Sequence, residues 1–478
     1  MMRVKTRLRE GIAVLTAQFV PFADAATAEL PLNRLLRLSL FQVSIGLTMV
    51  LLTGTLNRVM IVELGVPAGV VAVMVALPLL LAPIRALIGY RSDTYRSFLG
   101  LRRLPYLAMG TMLQYGGLAV MPFALLILAG DSAHPVWMGK VAAALAFLLA
   151  GTGMHIAQTA GLALASDLAP EASRPRVVAL LYVMQLVGMI VSAFVLGALL
   201  TDVTPLRLIQ VVQGAAVAVI VINTVAVWRQ EVRKPHLTQP GLPRPGFVES
   251  WKRLTAAQKP YRLLLAVALG SAAFSMQDVL LEPYGGEVLG LSVGATTALT
   301  AILAAGSLAG FGYAAYALAR GGDAYGLASQ GTLAGIAAFT AVIISGTAES
   351  AALFRLATCG IGFGGGLFAV AMLTAAMQQA NDEQSGLLLG AWGAVQATAI
   401  GLAMGFGGLF RDFIGSLATS GALGAALSDA SVGYAAVYVI EILLLFAALA
   451  AIGPLFRRRF VDEADAPQGR FGLSELPG

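Results

Sequence analysis

The chain has 478 residues, 58% of them hydrophobic and 12% charged, with a formal net charge of +6 and a mean hydropathy of +0.82. That much apolar surface exceeds what a water-soluble protein of this length can hide, and it falls in runs of roughly twenty residues or more, the length that crosses a ~30 Å hydrocarbon core. The alternating segments of an outer-membrane barrel are absent, the single cysteine, Cys359, excludes a disulfide framework and any multi-cysteine metal site, and the basic residues sit beside the apolar runs rather than in a nucleic-acid-binding patch.

Residues 1–33 begin with Arg3, Lys5, Arg7 and Arg9, followed by a short apolar stretch broken by Gln18, Pro21 and Asp24. This reads as an amphipathic helix on the cytoplasmic interface rather than a cleavable signal peptide. Spans are predicted near 37–61, 66–90, 104–129, 136–164, 176–200, 206–228, 261–282, 292–319, 325–345, 350–377, 386–410 and 433–456. Lys and Arg concentrate on one side: the N-terminus, the Arg91–Arg103 loop, Arg174 and Arg176, the segment 230–259, and Arg457–Arg459. The loops of the other side hold only Arg207 and Arg411. Both termini are therefore expected in the cytoplasm of a bacterial inner membrane, which requires an even number of spans.

The Pro-rich, basic segment 230–259 divides the chain into a bundle over 34–229 and a second over 260–456, with a tail over 457–478. Six spans plus six is the organisation of two repeated bundles. A faint internal echo agrees: Asn57-Arg58-Val59 ends span one and Gln277-Asp278-Val279 ends span seven, each followed by a glutamate, Glu63 or Glu282. Small residues let helices approach closely in lipid, so Gly362, Gly364, Gly365 and Gly366, then Gly401, Gly405, Gly407 and Gly408, are expected to be packing faces.

Between spans two and three stands Gly89-Tyr90-Arg91-Ser92-Asp93, followed by Arg96, Arg102 and Arg103. It resembles the major-facilitator loop signature of Gly, Asp and a basic cluster, in which the Asp caps a neighbouring helix and the arginines meet anionic headgroups. The Asp-Arg pair and later Gly-Arg of that signature are missing, which puts ordinary substrate cycling in question. The expected fold is an all-α membrane protein of the major-facilitator type, with about twelve helices in two pseudo-symmetric six-helix bundles.

Longer strings are more specific. They are Arg37-Leu38-Ser39-Leu40-Phe41-Gln42-Val43 with Leu56–Pro67, Tyr90–Ser97 with Leu101–Tyr106, Gln158–Pro170 with Arg174–Leu180, and Met276–Gly286. Together they resemble the PucC/LhaA family of phototrophic bacteria, and the LhaA branch in particular, over roughly 34–456. The resemblance implies an assembly factor for the light-harvesting 1 antenna that delivers or positions bacteriochlorophyll, with carotenoid as a companion pigment. It implies antenna polypeptides as partners, together with bacteriochlorophyll synthase, the membrane-insertion machinery and lipids, in the photosynthetic intracytoplasmic membrane.

A charge inside the bilayer needs a partner or a task. Arg58 and Asp278 fall at equivalent depths and are expected to pair across the two halves and hold the periplasmic side closed, the alternative being that each is satisfied within its own half. His155, with Gln158 one turn on, is a candidate bacteriochlorophyll contact, because neutral imidazole can ligate the Mg of a chlorin ring; the alternative is a histidine bonded between helices. Arg85 is expected to snorkel or to pair with Asp93 or Asp167. Gln277, Glu282, Arg355 and Glu441 complete the intramembrane polar set; Glu441 falls on a peripheral helix, where a lipid-facing carboxylate could meet a partner helix or pigment, the favoured alternative being a protonated or locally hydrogen-bonded glutamate. With so few ionisable groups, the interior is expected to suit an apolar client.

Nothing in the chain reads as a P-loop, a Gly-x-Ser-x-Gly elbow or a metal cluster, and Asn381-Asp382-Glu383-Gln384 lacks the second acidic cluster a prenyltransferase needs. An enzyme is not expected. The alternatives to an assembly factor are a secondary transporter of a porphyrin, lipid or other apolar small molecule, and a scaffold that binds partner helices without pigment.

Overall fold

The computed structural model describes residues 30–80, 100–130, 134–170, 174–201, 204–231, 261–379, 385–429 and 431–465. Among these, eleven helices are long and apolar enough to cross a membrane, and a shorter apolar helix lies at Ala68–Leu79. In chain order they are α1 (Leu32–Glu63), α2 (Ala68–Leu80), α3 (Leu104–Leu128), α4 (Val136–Leu168), α5 (Arg174–Leu199) and α6 (Pro205–Val227). The second half holds α7 (Tyr261–Glu287), α8 (Val293–Ala319), α9 (Ala324–Thr347), α10 (Ala351–Gln379), α11 (Ser385–Thr419) and α12 (Ser431–Asp465). The protein is an all-helical membrane protein.

Local chemistry sets several helix starts. Pro205 opens α6 behind Thr204, whose hydroxyl accepts from the Arg207 amide at 3.2 Å. Ser292 caps α8 at 3.3 Å from the Ala295 amide, and Asp323 caps α9 at 2.6 Å from the Gly326 amide. Two helices are irregular where they face each other. α1 contains π-helical turns at Val50–Thr55 and Val59–Glu63, and α7 tightens to a 3₁₀ turn at Met276–Val279. Such turns re-aim side chains and recur at functional sites.

Packing repeats between the halves. In the first, α1 packs on α5 and α6, α3 on α4 and α6, and α2 on α4; in the second, α7 packs on α11 and α12, α9 on α10 and α12, and α8 on α10. The halves meet through α2 with α11 and α5 with α8, two crossings that a two-fold exchange would interconvert. Glycine sets the close approaches. A Cβ on Gly362 would stand 2.0 Å from the Leu303 carbonyl oxygen of α8, and one on Gly364 would stand 2.7 Å from the Gly331 carbonyl oxygen of α9. A Cβ on Gly408 would lie 2.3 Å from the Ala72 Cβ of α2. The expected packing role of these glycines is what the helix crossings use.

A buried polar network ties α1, α3 and α6. Ser44 donates to Asn223 Oδ1 at 2.6 Å, Asn223 donates to Thr111 at 2.9 Å, and Gln114 donates to Thr48 at 2.6 Å. Hydrogen bonds of this kind hold helices together where the lipid supplies no hydrophobic drive.

On the side of the 230–259 connection, hereafter the linker side, Gln230 joins the end of α6 to the start of α1: Arg34 donates to its carbonyl at 2.7 Å and to its side chain at 3.0 Å. The next residue, Glu231, accepts from the amides of Arg102, Arg103 and Leu104 at 2.6, 3.0 and 2.7 Å, so a carboxylate from the end of α6 caps α3. Asp167 at the end of α4 accepts from Arg103 at 2.9 Å. Glu231→Ala is expected to cost about 1–2 kcal/mol, the range for a lost cap, read as a lower melting temperature of the detergent-purified protein.

Candidate functional site

Between the halves lies a cavity of about 370 Å³. The first half contributes Met49 and Thr53 of α1, Pro78 of α2, Met154, His155 and Gln158 of α4, and Gln185 and Met189 of α5. The second contributes Ser275, Gln277, Asp278 and Glu282 of α7, Thr300 and Ser307 of α8, Gly362 and Gly365 of α10, and Met404 of α11. Among the described residues, no lysine or arginine lines the cavity.

The two walls differ. On the first, Gln158 donates to Gln185 at 3.0 Å, and Gln185 donates to the Met49 sulfur at 3.1 Å. His155 lies one turn before Gln158, so the structure brings both candidate pigment contacts to one cavity. The second wall carries carboxylates. Asp278 is partly open and accepts from Gln277 Nε2 at 2.5 Å. Glu282 is 2% exposed; one oxygen accepts from Thr300 at 2.6 Å and the other has no partner. Behind this wall Glu441 is fully buried.

Two expectations change here. Glu441 does not face lipid: it is fully buried on α12, which packs on α7. The interior is also not uniformly poor in charge, because Asp278, Glu282 and Glu441 gather around the 3₁₀ turn of α7.

The Arg58–Asp278 pair does not form. Arg58 bonds Glu63 of its own helix and donates to the Leu291 carbonyl of the second half at 3.1 Å. The π turn after Arg58 brings Glu63 back to it, while the 3₁₀ turn of α7 aims Asp278 into the cavity. The halves are nonetheless joined on the side opposite the linker. Asn57 donates to the Val279 carbonyl at 2.6 Å, and the Thr55 and Thr297 hydroxyls lie 3.3 Å apart. Asp412 of α11 accepts from the Gly69 amide at 2.5 Å and the Ala68 amide at 3.2 Å, capping α2 across the interface. Arg411 holds that aspartate at 2.9 Å, pairs with Glu287 of α7, and lies 4.4 Å from the ring centre of Tyr434 of α12.

Sequence reasoning missed this cluster. It placed Arg411 in a loop, whereas α11 carries Arg411 and Asp412 well inside the helix. The available signal was an adjacent basic–acidic pair in an otherwise apolar run. Of the remaining expected residues, Arg355 is exposed near the start of α10. Arg85, Gly89, Arg91, Asp93 and Arg96 lie outside the described residues, as do the N-terminal amphipathic segment and Asn381–Gln384.

The description "PUCC protein" belongs to the family model that matches residues 55–460. The chain belongs to the PucC family. A relative described as an uncharacterized protein in the puhA–bchM intergenic region of Rhodobacter capsulatus is 53% identical over 98% of this chain and 99% of its own. Protein PucC of Rhodovulum sulfidophilum is 52% identical, covering 84% of this chain and 90% of that one. Among solved structures, a bacterial homologue of the lysosomal transporter Spinster, inward-facing and unoccupied, superposes with a TM-score of 0.65 at 15% identity, over 90% of this chain and 98% of that one. The PucC-family chain therefore has the fold of major-facilitator transporters, as its loop motif and six-plus-six organisation predicted.

Proposed function

We propose that this PucC-family protein is a non-enzymatic assembly factor for the light-harvesting 1 antenna, which delivers or positions bacteriochlorophyll while antenna polypeptides oligomerise. Kinship over almost the whole chain to the PucC family carries this reading. Its setting is the bacterial inner membrane with both termini cytoplasmic, in agreement with the basic linker-side segments. Its partners are antenna polypeptides, bacteriochlorophyll synthase and the insertion machinery.

The cavity bears on how pigment is handled. At about 370 Å³ it lies near the lower end of small-molecule pockets, roughly 300–1,000 Å³, and is too small for a complete tetrapyrrole with its isoprenoid tail. In this reading pigment and carotenoid are carried on the lipid-facing exterior, and His155 and Gln158 contact the chlorin ring only when the halves part on the linker side. Deletion of the protein is expected to lower light-harvesting complex 1 while pigment synthesis continues; an unchanged complex level refutes the reading. An absorption spectrum of the gently purified protein reports whether bacteriochlorophyll and carotenoid accompany it. His155→Ala is expected to diminish the bacteriochlorophyll bands, and full retention removes His155 as a contact.

A secondary transporter is the second reading, and the carboxylates on the cavity wall favour it. It requires Asp278→Asn or Glu282→Gln to abolish uptake of a porphyrin or lipid into proteoliposomes.

A further inference from the structure

We propose that the central cavity binds a small organic cation, a protonated primary amine carried on a compact apolar body. The second wall leaves acceptors without donors. Asp278, partly open to the cavity, has one hydrogen-bond donor, Gln277 Nε2. The second oxygen of Glu282 has none, and neither does the Gln277 side-chain oxygen, although Glu282 and Gln277 are 2% and 1% exposed. All three residues line the cavity.

A carboxylate in so dry a place is costly unless a cation or several donors face it. Among the described residues, Arg58 is committed to Glu63 and the Leu291 carbonyl and does not line the cavity. The missing complement is therefore positive and rich in N–H donors. A primary ammonium supplies three, whereas a quaternary ammonium supplies none and would leave the orphaned oxygens unmet.

The rest of the cavity describes the other end of the ligand. Met49, Met154, Met189 and Met404 are polarisable and adaptable, and Phe274 offers an aromatic ring near the acidic wall. About 370 Å³ admits one or two rings but not a macrocycle. This proposal stands apart from the antenna reading, because it concerns the cavity in this conformation and not the pigment.

Three indoles that share a body and differ in charge test it: tryptamine, tryptophol and indole-3-acetate. Each is titrated calorimetrically at neutral pH into the full chain in detergent, with empty micelles subtracted. Tryptamine is expected to bind one saturable site, at least about tenfold tighter than tryptophol, as a charge-assisted hydrogen bond implies, while indole-3-acetate does not saturate. Asp278→Asn is expected to remove that tenfold preference. Equal binding of the three indoles, no tryptamine binding, or an unchanged preference in Asp278→Asn overturns the proposal. If Asp278→Asn does not elute as a folded monodisperse protein, Ser307→Leu fills the cavity without altering its charge. Tryptamine binding is then expected to be lost, and retained binding overturns the proposal. None of these outcomes depends on pigment, so failure here leaves the absorption spectrum to judge the antenna reading by itself.

Discussion

Gly362→Leu is expected to abolish recovery of folded protein, and even Gly362→Ala to lower its melting temperature sharply. The reason is geometric. A Cβ built on Gly362 meets the Leu303 carbonyl oxygen at 2.0 Å and the Ser307 amide nitrogen at 3.0 Å, both backbone atoms of α8. Backbone cannot swing aside as a side chain can, so α8 and α10 must separate. Separation is resisted on both flanks, because a Cβ on Gly306 or Gly366 would approach backbone oxygens at 2.2 and 2.6 Å at the same crossing and Gly364 locks the other side of α10 to α9. Overpacking a tight core costs about 1–3 kcal/mol, and more where no relaxation is open. The control is Gly312, on the same α8, where an added Cβ meets nothing within 4 Å. Gly312→Ala is expected to be neutral or to stabilise by up to about 1 kcal/mol, since alanine is the better helix former. Size-exclusion profiles and melting curves of the three variants check the order. Equal behaviour of Gly362→Ala and Gly312→Ala would show that the crossing is not set by contact.

Asp412→Ala is expected to loosen the junction between the halves on the side opposite the linker. Asp412 performs two tasks at once: its carboxylate caps the first amides of α2, in the other half, and it holds Arg411 at 2.9 Å. Losing a cap costs about 1 kcal/mol, and a hydrogen bond to a charged group about 1.5–3 kcal/mol, so the loss is roughly 2–4 kcal/mol. Arg411 keeps Glu287 and the Tyr434 ring, which limits the damage within the second half. The effect should therefore concentrate at the interface. Hydrogen exchange measured by mass spectrometry is expected to quicken in the peptide that holds Ala68 and Gly69, with little change in the Ser44–Asn223–Thr111 network. Asp412→Asn, which keeps an acceptor but not the charge, should fall between. Unchanged exchange at Ala68 and Gly69 would mean that other contacts carry the junction.

Much of the architecture is legible in the sequence. Length and hydropathy mark a transmembrane helix because the bilayer imposes both, and small residues mark close crossings because nothing larger fits. Gly362, Gly364 and Gly366 of α10 and Gly407 and Gly408 of α11 stand at such crossings, whereas Gly405 makes only ordinary contact. The fates of the buried charges were not legible. Arg58 and Asp278 occupy corresponding places in the two halves, and pairing them was reasonable for two regular helices. Two departures from regularity redirected both: a π turn folds Glu63 onto Arg58, and a 3₁₀ turn aims Asp278 into the cavity. Helix irregularities of a few residues leave no hydropathy signal. Glu441 was misplaced for a related reason, since the face a helix turns toward its neighbours depends on how α12 sits against α7.

The sequence by itself determined the membrane as the solvent, the helical class, the division into six plus six, and the kinship recorded in its longer strings. These follow from composition and order along the chain, because lipid requires every span to satisfy its own backbone hydrogen bonds. Only the tertiary structure decided which charges meet. It set Arg58 against Glu63, Arg411 and Asp412 across the α2–α11 junction, and Asp278 and Glu282 on one wall of a cavity opposite His155 and Gln158. The physical reason is distance: an ion pair is set over a few ångströms, and helices far apart in sequence reach that separation only after they have packed.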